Sequence, residues 1–106
     1  MTSLSVPNRH TVSHRLIGQI LALCGDRAEL AAAQQRSWAS ATFSGSRHIV
    51  DILAPVTAAV QASALLPEHD FDLHGEIVAD CSAQVDRSAP GETAALHVEL
   101  LTIFAD

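Results

Sequence analysis

The densest run of side chains able to do chemistry lies between positions 68 and 80. Glu68, Asp70, Asp72, His74, Glu76 and Asp80 recur there at alternate residues, with one omission. In an extended chain, residues i and i+2 point to the same side, roughly 6–7 Å apart. With His97 and Glu99 from a neighbouring strand, such a row offers carboxylate and imidazole donors. Hard oxygen ligands suit Ca²⁺, Mg²⁺ or Mn²⁺, and the histidines admit Zn²⁺. His74, Glu76, His97 and Glu99 are therefore the candidate set for a divalent metal, a small ligand or an enzymatic site on that polar face. A strand spreads its side chains along a line, however, whereas a metal needs them to converge. The simpler reading is a solvated sheet face that discourages edge pairing, with no cofactor.

The remaining reactive residues form weaker patterns. His10 and His14 stand four apart, but no metalloprotease-type Glu lies between them. Cys24 and Cys81 are too few for a disulfide framework and are not spaced as a zinc motif. Alternation places Cys81 beside Ile77 and Ala79, where apolar surroundings raise a thiol pKa. Cys24 falls at the negative end of a helix, the wrong end to stabilise a thiolate. No serine lies in a GxSxG or SxxK setting, and the five glycines stand singly, so no loop cradles phosphate. Arg36 and Arg47 flank Trp38 and suggest at most a small anion site. His48 reads as a hairpin surface contact. No catalytic residue is assigned.

These side chains must be carried by a short list of elements. Val12, Leu16, Ile17, Ile20, Leu23 and Cys24 form one helical stripe, with Thr11 or Ser13 as its cap and Gly25 as a left-handed stop. Residues 26–36 are ambiguous between helix and extended chain, and are read as an edge strand from about Glu29. A β-hairpin follows, with strands 38–43 and 46–53 about a turn at 44–45. Phe43 is expected to face the core, and Trp38 the other face or the sheet margin. Pro55 suits the first turn of a second helix, with Val56, Ala59, Val60, Ser63 and Leu66 inward and Pro67 at its end. From Phe71 to Val85 apolar groups take the odd positions, which predicts one long strand bent or bulged near Gly75. The last strand, about 94–104, shares Leu96, Val98, Leu100 and Phe104 on one side. Its other side starts with His97 and Glu99 and ends with Leu101 and Ile103. That apolar pair needs a cover, and both residues are interface candidates.

The expected architecture is α+β. Two helices pack on one face of a mostly antiparallel four- or five-stranded sheet, in the order α-(β)-β-β-α-β-β. A chain of 106 residues allows one domain, 1–106, with 1–10 as a loose lead-in. It is 48% hydrophobic and 17% charged, which excludes a disordered chain. All six basic residues are arginine. Residues 1–50 hold five of them against two acids, whereas residues 51–106 hold one against ten. A net charge of -6 argues against duplex nucleic acid as a partner, and the acidic half leaves room for a basic protein partner. No stretch is long and apolar enough for a membrane span. The start lacks the apolar core of a signal peptide, so the cytoplasm is the expected compartment.

Segments 38–48 (WASATFSGSRH) and 66–81 (LPEHDFDLHGEIVADC) resemble those of a family of small uncharacterised bacterial α+β proteins. The resemblance implies the hairpin–helix–strand order and no activity or cofactor. The combined expectation is a non-enzymatic module that self-associates as a homodimer.

Overall fold

A computed structural model describes residues 13–87 and 91–104. The proposed lead-in, His10 of the histidine pair, Thr11 and the middle of the 87–92 loop lie outside the described residues. The elements are helix α1 (His14–Cys24), strands β1 (Glu29–Ala39) and β2 (Ser44–Pro55), helix α2 (Val56–Leu65), a 3-10 turn (Leu66–Glu68), and strands β3 (Glu76–Asp86) and β4 (Thr93–Phe104). The strands form one antiparallel sheet in the order β1-β2-β4-β3. No helix among the described residues is long and apolar enough to cross a membrane.

Helix α1 begins where Ser13 can cap it. Its Oγ accepts from the amides of Arg15 and Leu16 at 3.2 and 3.4 Å. Such a cap is worth about 1 kcal/mol. Leu16, Ile20 and Cys24, spaced by four, turn the same stripe inward. Gly25 stops the helix at φ 91°, and its amide donates to the Leu21 carbonyl.

Along β2 the even residues Ser46, His48, Val50, Ile52 and Ala54 are buried, and along β4 Ala94, Leu96, Val98, Leu100 and Thr102 are. Their apolar members form one core with Leu16, Ile20, Cys24, Ala59, Ala62 and Leu66. The alanines at 59 and 62 let α2 approach the sheet closely. Val60, expected inward, is 39% exposed instead.

Three local expectations need correction. The segment 29–39 is indeed a strand at the sheet edge, but it runs through Trp38, and the turn lies at 40–43 rather than 44–45. Ser40 makes that turn: its amide donates to the Phe43 carbonyl at 2.7 Å, and its Oγ accepts from the Phe43 amide at 3.1 Å. Phe43 sits in the turn and is 56% exposed, not a core residue. Gly45, which resembles a turn glycine, lies buried within β2.

The long strand expected from Phe71 begins only at Glu76, which pairs with Phe104 at the end of β4. Beyond Phe104 the described sheet offers no partner. Gln19 takes up the backbone of residue 72 instead. Its Nε2 donates to the Asp72 carbonyl at 2.8 Å, and its Oε1 accepts from the Asp72 amide at 2.9 Å. The pinned segment still packs Phe71 and Leu73 against the core.

The bulge lies at Ala79, between Val78 and Asp80, and not at Gly75, whose φ of 72° makes a turn. One extra residue reverses the alternation. Val78, Cys81, Ala83 and Val85 share the core side, while Ile77 moves to the opposite face and is 61% exposed. Strand β1 carries a second bulge between Leu30 and Ala32.

Candidate functional site

The register sorts the candidate residues onto two faces. On the face away from the core, Asp51 of β2 lies opposite His97 of β4, and Glu99 follows two residues on. His97 Nδ1 donates to Asp51 Oδ1 at 2.6 Å, and Nε2 donates to Glu99 Oε2 at 3.0 Å. Arg47 Nη1 lies 3.5 Å from Glu99 Oε1. Hydrogen bonds to the two carboxylates raise the His97 pKa above the ordinary imidazole value, Asp51 contributing most. With His97 protonated, its ring, the Arg47 guanidinium and the two carboxylates balance one another. Both ring nitrogens are occupied, so the group acts as a cross-strand ion cluster rather than a metal cradle. Arg47 is committed to Glu99, which takes it out of the expected anion site beside Trp38.

Glu76 is on the other face. Its Oε1 accepts from Thr102 Oγ1 at 2.6 Å, and His48 Nε2 lies 3.1 Å from the same hydroxyl. Thr102 Oγ1 also lies 3.2 Å from the Ser46 carbonyl, and Gln35 Nε2 donates to Ser46 Oγ at 3.3 Å. The consistent assignment is a relay in which His48 Nε2–H donates to Thr102, whose hydroxyl donates to Glu76. His48 Nδ1 is buried without a partner among the described residues. As a bare lone pair it costs less there than an orphaned N–H would. Burial lowers the His48 pKa, against a smaller opposing effect of Glu76. His48 is thus not the hairpin surface contact expected from its neighbour Arg47, but a core histidine at 1% exposure.

An imidazole, a hydroxyl and a carboxylate are the ingredients of nucleophilic catalysis, but the order is wrong. The carboxylate holds the hydroxyl rather than the far ring nitrogen, and Thr102 is fully buried. The arrangement positions strands. His74 sits exposed just before the turn at Gly75. The four candidates His74, Glu76, His97 and Glu99 are therefore not brought together: the bulge and the late start of β3 put Glu76 behind the sheet and leave His74 outside it. Among the described residues no group of three or more His, Cys, Asp or Glu side chains could hold a metal ion.

A shallow open groove of about 570 Å³ runs beside β3, lined by Pro67, His69, Phe71, Glu76 and Cys81 among others. Burial, and secondarily Asp80, push the Cys81 thiol up to about 11, which removes it as a nucleophile. Burial likewise raises Cys24.

The two histidines should titrate in opposite directions. A raised folded-state pKa at His97 gives stability that is full below the unfolded value and lost as pH rises through the folded one. A lowered pKa at His48 gives stability present above the unfolded value and lost as pH falls through the folded one. Histidine ring NMR should show one midpoint above and one below the ordinary imidazole value. Coincident midpoints would contradict both environments.

Thr102 carries no sequence signal, because threonine at a strand's inward position ordinarily reads as filler, and nothing in the spacing joins it to His48 or to the candidate Glu76. Compared with models of known protein families, with curated proteins and with solved structures, the chain matches none.

Proposed function

We propose that the protein is a non-enzymatic self-associating module, a two-layer α+β sandwich whose open sheet face receives a second copy. The observation that supports this most is the apolar end of that face. Leu101 and Ile103 of β4 are half-buried there, beside Trp38 and the 61% exposed Ile77. Side chains of this kind on a free sheet face are better placed against protein than against water. Five outward residues on each of four strands span roughly 650 Å² in projection. Corrugated side chains add to that, bringing the face close to the about 800 Å² that each partner contributes to a standard interface.

Sedimentation equilibrium at micromolar concentration should give twice the 11.2 kDa chain mass. Leu101→Glu should return it to the monomer with its circular dichroism unchanged, because residue 101 lies on the face opposite the core. A wild-type monomer, or a Leu101→Glu dimer, would overturn the reading.

A further inference from the structure

Resting on that reading, we propose how the two copies meet: face to face about a two-fold axis parallel to the strands, so that Arg36 of each copy lies over Asp80 of the other. The register fixes what each choice of axis brings together. Across the open face, Trp38, Gly45, Ile103 and Ile77 form one row, and Arg36, Arg47, Leu101 and Asp80 form the next. An axis along the strands, between β2 and β4, exchanges β1 with β3 and keeps every row on itself. Trp38 then covers Ile77 of the second copy, and the apolar end seals against the apolar end. The strands of the two sheets stay nearly aligned, as sheet packing prefers.

The other in-plane axis, across the strands, reverses the rows. It places Trp38 over Glu29 and Ile77 over Asp86, setting the largest apolar groups against carboxylates. Charge favours the same choice. Arg36 is on the β1 side of the face and Asp80 on the β3 side, three strands apart in one chain. Among the described residues neither has an ion-pair partner. The strand-parallel axis supplies each with one, twice per dimer.

The test is sedimentation equilibrium of Arg36→Glu, of Asp80→Arg and of their equimolar mixture, with circular dichroism to establish folding. Each single variant sets like charges together at two symmetric places and should weaken association at least about tenfold. In a mixed dimer the acid introduced in one chain faces the base introduced in the other. The second contact is the native pair, Arg36 over Asp80. Association of the mixture should therefore recover to within about threefold of wild type. Single variants that dimerise normally, or a mixture as weak as either alone, would overturn the two-fold. If Leu101→Glu still yields a monomer in that case, self-association stands and only the orientation falls. A monomeric wild type would remove both.

Discussion

Gly45→Ala should destabilise the fold by about 3 kcal/mol, the upper end of the usual effect of a methyl added to a packed site. A Cβ on Gly45 would fall inside the van der Waals envelope of the Thr102 carbonyl and press on the Cα of Ile103. These are backbone atoms of β4 and cannot swing aside as a side chain could. The space over Gly45 is already in use: Trp38, opposite it in the register, donates its Nε1–H across β2 to the Thr102 carbonyl at 3.2 Å. The methyl therefore opposes both the β2–β4 ladder and the indole that bridges it. In a domain of this size each kcal/mol moves Tm by roughly 4–8 °C, so the midpoint should drop by roughly 12–24 °C. A midpoint within two or three degrees of wild type would show that β2 shifts freely there.

Thr102→Val should cost about 3 kcal/mol although the two side chains nearly match in volume. The hydroxyl is the shared partner of His48 Nε2 and Glu76 Oε1. Without it, Nε2 of the buried imidazole is left facing only Glu76 Oε1 at 3.8 Å, Nδ1 still has no partner among the described residues, and Glu76 loses its 2.6 Å donor. Urea unfolding should show a lower midpoint with an unchanged slope. A loss below about 0.5 kcal/mol would mean that the relay contributes nothing net to stability.

These two residues also mark how far the fold is legible in the sequence. The first helix can be read directly, since its stripe and its cap are local. The last strand can be read as well: burial alternates along it from Ala94 to Thr102, and Leu101 and Ile103 lie on the half-buried side. What cannot be read depends on distant contacts. Gly45 has the look of a turn residue, and only the approach of β4 shows why it lacks a side chain. His48 meets its partner 54 residues along the chain. Alternation through Ile77 and Cys81 holds in the letters and fails in space, because Ala79 carries no mark that distinguishes a bulged alanine from a paired one. For the same reason alternation groups Glu76 with His97 and Glu99, when the extra residue sends it to the opposite side.

The paired bulges have a consequence for growth in concentrated solution. Both outer strands of the sheet are interrupted, one near Leu30 and one at Ala79. A broken rim is a poor template for a newcomer strand seeking an unbroken run of amide partners. Ribbon-like polymerisation through either flank is thereby discouraged. Under the proposed face-to-face pairing, the open face is then the contact that remains, and a two-fold contact closes as a pair rather than growing into an open-ended fibre.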